Sequence, residues 1–168
     1  MTIRSFVLIV LALALPFSPA RAASDDAEIR AVIESFRTSI IQKDRERFLA
    51  LFVQADVPWQ SVVDDKSIAQ IKLKHPEAIM ARFKRENNPV DFIDGIVKSK
   101  NASEETFSNI KIDSDGEVAA VTFDYAFLSN GRATNSGKEC WLMVRTEAGW
   151  KITTLAYSVT LAPAPANS

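Results

Sequence analysis

The chain has 168 residues, 47% of them hydrophobic, with 20 basic and 21 acidic side chains and a formal net charge of −1. That length suits one domain around one core, and the near-neutral balance excludes the basic footprint of general nucleic-acid or anionic-membrane binding. One cysteine (Cys140) and one histidine (His75) exclude an internal disulfide and a tetrahedral Cys/His zinc site. No spacing suggests a carboxylate metal site, and no cofactor is implied.

The N-terminus has the three parts of an export signal. Arg4 gives a positive start, residues 6–15 are an unbroken apolar run, and Ala20-Arg21-Ala22 supplies small residues at the cleavage positions. The run would span about 15 Å as a helix, about half of a bilayer core, so no stable membrane anchor is expected. Residues 1–22 are read as a cleavable signal peptide, 23–161 as a single domain and 162–168 as a disordered Ala/Pro tail. The mature protein is expected to be exported, periplasmic or secreted.

Within the domain, Ser24 and Asp25 read as N-caps, with Asp26 and Glu28 in the first turn, where the helix dipole favours acids. Ile29, Val32, Ile33, Phe36 and Ile40 keep helical spacing, which predicts a long amphipathic helix to about Gln42. Asp44 reads as the cap of a shorter helix with Phe48, Leu51 and Phe52 on its apolar stripe. Residues 57–63 read as a strand, with Pro58 at its start or on an edge. Pro76 and Glu77 open a third predicted helix, carrying Ile79, Met80 and Phe83 and ending near Glu86, where Asn87-Asn88-Pro89 breaks it. The period then falls to two. Strands are predicted over 107–112, 118–128, 139–145 and 150–160, with turns at Asp113-Ser114-Asp115-Gly116, Asn130-Gly131 and Glu147-Ala148-Gly149. Helices first and an antiparallel meander second make the class α+β.

Three stretches carry a resemblance. Asp44 with the Phe48 to Phe52 helix, the hairpin from Phe123-Asp124-Tyr125 to Asn130-Gly131-Arg132, and above all Gly149-Trp150-Lys151-Ile152 running on to Ser158 resemble the nuclear-transport-factor-2-like (NTF2-like) superfamily. The resemblance covers about residues 25–159. That superfamily includes ketosteroid isomerases, SnoaL-like polyketide cyclases, limonene epoxide hydrolase and many uncharacterised exported proteins, so it speaks to fold far more than to function. It implies a cone, with three N-terminal helices packed on a strongly curved antiparallel sheet. It would place Val121, Phe123 and Tyr125 inside the cone, beside Cys140, Leu142 and Val144 of the next strand. Ile152, Thr154, Ala156 and Ser158 of the last strand would line it too, with Phe36 and Trp59. The candidate ligand-binding residues are therefore Phe36, Trp59, Phe123, Tyr125, Cys140 and Thr154, an apolar cavity with a few polar tips.

The catalytic sites of the resembled family do not transfer. A ketosteroid isomerase site needs a base carboxylate, and a tyrosine and a protonated carboxyl that donate to the enolate oxygen. Phe36 falls where the tyrosine would be, Trp59 near the base and Cys140 at the second carboxyl, and none of the three can act so. No inferred cone-facing position carries the Asp or Arg of an epoxide-hydrolase relay. Cys140 as a nucleophile would need His75, which reads as a solvated loop residue, while Cys140 reads as a small buried apolar group. No catalytic residue is assigned. Tyr125 is the best polar candidate, either orienting a ligand or satisfying a core hydrogen bond. Asp124 has the outward parity, and Asn101-Ala102-Ser103 is a glycosylation sequon with meaning only in a eukaryotic secretory route.

Trp141, Met143, Leu155, Tyr157 and Val159 share the parity that faces away from the inferred cone, a patch that predicts a homodimer through the outer sheet face unless a helix covers it. Three readings stay open: a binding domain for a small apolar or aromatic ligand, an isomerase- or cyclase-type enzyme using Tyr125, and a structural or partner-binding homodimer whose cone is only its core. An acidic residue facing the cavity would favour the enzyme.

Overall fold

The computed structural model describes residues 19–81 and 83–163. Most of the expected signal peptide (1–18) and the end of the expected tail (164–168) lie outside the described residues.

Helix α1, Pro19–Gln42, buries the stripe that the spacing predicts, Ile29, Ile33, Phe36 and Ile40. It begins ahead of Ser24 and Asp25, which sit within the helix rather than capping it. Its end is built by a left-handed Lys43 (φ 55°), which lets the Asp44 amide reach back to the Ser39 carbonyl at 2.9 Å and close the last turn. The Asp44 side chain then caps α2, Arg45–Leu49, by accepting from the Arg47 amide at 3.0 Å.

Strand β1 (Trp59–Val63) leads into α3 (Asp65–Lys72), capped by Asp64, and α4 (Pro89–Lys98), capped by Asn88. Among the described residues, four helices stand where three were expected. Asn88-Pro89 begins a helix instead of ending one: the proline takes a first-turn position whose amide needs no partner. The helix predicted over 76–86 is absent. Ile79, Met80 and Phe83 are exposed, and a short amphipathic segment with nothing to bury its stripe against gains too little to stay helical. Its backbone serves the sheet edge instead, where Val63 donates to the Met80 carbonyl at 2.9 Å and Ala81 bridges Val62.

Strands β2 (Ser103–Ser114), β3 (Val118–Ser129), β4 (Arg132–Thr146) and β5 (Gly149–Leu161) form the expected antiparallel meander. Strand β1 lies beside β5 in parallel, so the five-stranded sheet is mixed, in the order β1-β5-β4-β3-β2. Asn130 and Gly131 both have positive φ (50° and 74°), as a tight hairpin turn requires.

Two bulges decide which side chains enter the cone. Next to the β3–β4 turn Leu128 pairs with Ala133, but the following pair is Phe127 with Asn135, which leaves Thr134 as an extra residue. An unbroken two-residue hairpin would have set Cys140 opposite an inward residue of β3. With the bulge, Glu139 faces Phe123 and Trp141 faces Val121, so every β4 side chain beyond it changes face. The second bulge is at Thr153: Leu142 pairs with Thr154 but Met143 with Ile152. Ile152 is inside as expected, yet Leu155 and Tyr157 follow it and Thr154, Ala156 and Ser158 turn outward. Cys140 is consequently exposed, and Leu142 is 50% exposed. Trp141, Met143 and Leu155 are at most 1% exposed and form core, so the patch expected to hold two copies together is not on the outer face.

The core is aromatic. Phe36 stands at its centre, with ring centroids 4.8 Å from Phe48 and 5.0 Å from Trp141, and Phe123 packs 5.0 Å beyond Trp141.

Candidate active site in the cone

The concave face is not filled along its whole length. Towards the β3–β4 turn it opens into a cavity of about 310 Å³, at the small end of small-molecule sites. Trp59 comes from β1, Phe92 from α4, Tyr125 and Phe127 from β3, and Tyr157 and Val159 from β5. Its polar groups are Glu105 of β2, Asn135 and Glu139 of β4, and the two phenols.

Glu105 and Glu139 are 4% and 3% exposed. The bulge at Thr134 aims Glu139 inward, and Trp141, two residues on and on the same face, donates its indole N–H to Glu139 Oε1 at 2.6 Å. Glu105 lies opposite the inward Phe127. Its neighbour Glu104 meets Arg37 of α1 at 3.1 Å, whereas Glu105 has the other carboxyl as its partner. Among the described residues, no Lys, Arg or His lines the cavity.

Two buried carboxyls joined by a hydrogen bond must hold a proton between them. Burial pushes Glu105 well above the ordinary carboxyl range, and the Glu139 charge pushes it further. Burial also raises Glu139, to about 7, against the stabilising hydrogen bonds from Trp141 and Glu105. The indole donor favours the ionised form of Glu139, so near neutral pH Glu105 keeps the proton and Glu139 is the member that gives its proton up. Such an arrangement supplies a base and an acid side by side in a dry site.

Tyr125 is buried beside the pair. Its hydroxyl faces two acceptors, Asn135 Oδ1 at 3.0 Å and the Ser158 carbonyl at 2.9 Å, and its one proton serves one at a time. Desolvation and the nearby carboxyls hold it protonated, above the usual phenol range, and burial raises Tyr157 as well. Opposite Tyr125 stands Gly137, where an added Cβ would lie 2.0 Å from the Ser158 carbonyl oxygen. Glycine at that position lets β5 come close enough for Tyr125 to reach it.

Of the six residues expected to bind a ligand, Trp59 and Tyr125 line the cavity. Phe36 and Phe123 are fully buried in the aromatic core and do not reach it. Cys140 lies on the outer face, and Thr154, also outward, donates to the Pro58 carbonyl at 3.0 Å. Asp124 points outward as expected, pairing with Lys138 at 2.7 Å, and His75 is exposed. Sequence reasoning missed Glu105 and Glu139 altogether and set Tyr157 and Val159 on the wrong face. The missed signal was the alternation Glu139, Trp141, Met143: had the bulky pair been taken as core, the glutamate would have followed it inward. Among the described residues no group of three or more Cys, His, Asp or Glu could hold a metal ion.

No family model matches the chain, and no curated protein matches it. Solved structures do. An NTF2-like superfamily protein from Salmonella enterica has 15% identity and a TM-score of 0.58, with 88% of this chain and 99% of that one covered. An NTF2-like protein with a cystatin-like fold from Novosphingobium aromaticivorans has 17% identity and a TM-score of 0.57, over 83% and 84%. The hexachlorocyclohexane dehydrochlorinase LinA-type3 from Novosphingobium barchaimii has 13% identity and a TM-score of 0.59, over 88% and 95%. At such identities the likeness is one of architecture, and it agrees with helices packed on one mixed sheet. The chain has the fold of the nuclear-transport-factor-2-like superfamily.

Proposed function

We propose that the cone binds a small, largely aromatic or apolar molecule and moves a proton on it, with Glu139 as the base and Glu105 as the proton-bearing partner. The observation that carries this reading is the buried, proton-sharing carboxyl pair on the wall of the cavity. Burying two acids without a cation is costly for folding, and a cavity at that spot gives the cost a use. Proton abstraction followed by loss of a leaving group, or return of the proton at another carbon, both fit a base next to an acid. A dehydrochlorinase on the same architecture is an elimination of this kind.

A generic carbon acid tests it. Turnover of 5-nitrobenzisoxazole needs only a base in a dry pocket, and it is expected to rise with pH through about 7 as Glu139 ionises. Glu139→Gln abolishes that turnover, and Glu105→Gln keeps part of it because the amide still donates to Glu139. Equal rates in the wild type and Glu139→Gln would remove Glu139 from the chemistry.

Export belongs to the same proposal. It is supported by Arg4, the apolar run 6–15 and Ala20-Arg21-Ala22, and the intact mass of protein from its own host would reveal cleavage after Ala22. Pairing of two copies through the outer sheet face needs other residues than those first named, and Leu142, Val118 and Val62, 50%, 52% and 41% exposed, are among the apolar side chains there.

A further inference from the structure

We propose that the ligand of this cone is a small organic cation, a protonated or quaternary amine on an aromatic or apolar frame. The inference rests on the reading of the cone as a small-molecule site and adds the charge of what enters it.

The first observation is the shape of the aromatic lining. Trp59 and Phe92 lie with centroids 4.9 Å apart and planes 33° apart, forming one wall. Tyr157 stands almost perpendicular to Trp59 (88°, 6.4 Å) and to Tyr125 (78°, 5.9 Å), and Phe127 meets Phe92 edge-on at 70° and 6.2 Å. Five rings of differing orientation line this one small volume, an arrangement suited to an ammonium group, which is drawn to the negative face of an aromatic ring.

The second observation is the charge of that volume. A carboxyl pair sharing one proton carries one negative charge, and among the described residues no cationic side chain of the lining offsets it. Among the described residues, the remaining titratable groups of the lining are the Tyr125 and Tyr157 phenols, both held neutral. In the groove beside the cavity, Glu86 and Asp91 add acids next to Trp59, Phe92 and Tyr157. Lys84 and Arg85 line a neighbouring depression that also touches Trp59 and carries Asp56 as well, and neither basic side chain lines the cavity itself. A carboxylate or phosphate ligand would bring a second uncompensated charge into a desolvated site, whereas an ammonium ion supplies the missing one and donates charge-assisted hydrogen bonds if it carries N–H groups. The rings alone would admit any flat apolar molecule. Rings and an unbalanced carboxylate together select the cation.

The test compares isosteric probes by calorimetry on the purified protein at about pH 8: phenyltrimethylammonium, neutral tert-butylbenzene and anionic benzenesulfonate. The cation is expected to bind about tenfold or more tighter than the neutral isostere, and the anion not at all. Lowering the pH of the wild type to about 5, where Glu139 is protonated, should weaken the cation about tenfold and leave the neutral probe unchanged. Glu139→Gln should reproduce that loss at pH 8. Equal or tighter binding of the neutral probe overturns the cation while leaving the cone a small-molecule site. Absence of binding by all three probes, with turnover of 5-nitrobenzisoxazole intact, also overturns it and spares the proton-transfer reading. Absence of both binding and turnover overturns the two together.

Discussion

The two ends of the concave face are built on the same strands and behave oppositely. At one end, α2 presses Phe48 onto Phe36 of α1 and Phe36 onto Trp141, and the space is filled with rings. At the other, α4 offers Phe92 but leaves about 310 Å³ open, and the sheet sends in two glutamates. Trp141 belongs to both, its ring in the packed end and its N–H on Glu139. The filled end supplies stability and the open end gives some of it up, the division expected of a domain whose site is strained by design of its charges.

Substitutions should separate the two ends. The largest effect belongs to the filled end: Phe36→Ala, at a position with no exposure and five ring neighbours, should cost about 3–5 kcal/mol in denaturant unfolding. A cost below about 1 kcal/mol would mean that the ring is not the hub of the core.

The open end should respond with the opposite sign. Glu139 is raised from 4.5 to about 7 on folding, so between these values the folded protein holds a proton that the unfolded chain has released. Glu139's share of the stability therefore falls as pH rises from about 4.5 to about 7, a loss of roughly 3 kcal/mol, and Glu105, still protonated in the fold near neutral pH, adds a fall of the same sign that continues beyond it. Glu139→Gln, which cannot ionise and still accepts from Trp141, should regain about that much at pH 8 and almost nothing at pH 4. A gain that does not depend on pH would show that charge is not what the open end pays.

Tyr125→Phe sharpens the boundary. It removes the tie to Asn135 or Ser158 and should cost about 1 kcal/mol, since the buried acceptors lose one donor while the ring stays packed. The smallest effect lies outside both ends: Cys140→Ser on the outer face should change stability by less than about 0.5 kcal/mol, and the Cys140 thiol should react with a thiol reagent in the folded protein. A protected thiol would return Cys140 to the interior and reverse the β4 parity.

What could be read in advance follows from the range of the physics. The stripe of α1, the Asp44 cap, the Asn130-Gly131 turn and the inward set Val121, Phe123 and Tyr125 are fixed by neighbours within a few residues, and each stands as expected. Thr134 and Thr153 carry no such mark. A bulge is a choice made by two strands together, and one extra residue reverses everything after it. The error at β4 hid Glu139, and Glu105 looked like one more surface acid beside Glu104. The absent helix over 76–86 failed for the complementary reason: its spacing was helical, but the tertiary surface it needed was not there.

The bulge at Thr134 also bears on how such a cone changes over generations. Deleting Thr134 would close the bulge and still leave Glu139 opposite Phe123, whereas closing it with Thr134 kept in the ladder would slide β4 by one position, bringing Cys140, Leu142 and Val144 to the inner face and sending Glu139 out. One change of pairing beside the turn, with no substitution in the site, would thus trade an acidic chamber for a thiol-lined one. Both faces of this strand are stocked with side chains that can line a cavity, so the hairpin acts as a selector between two chemistries already written in one gene.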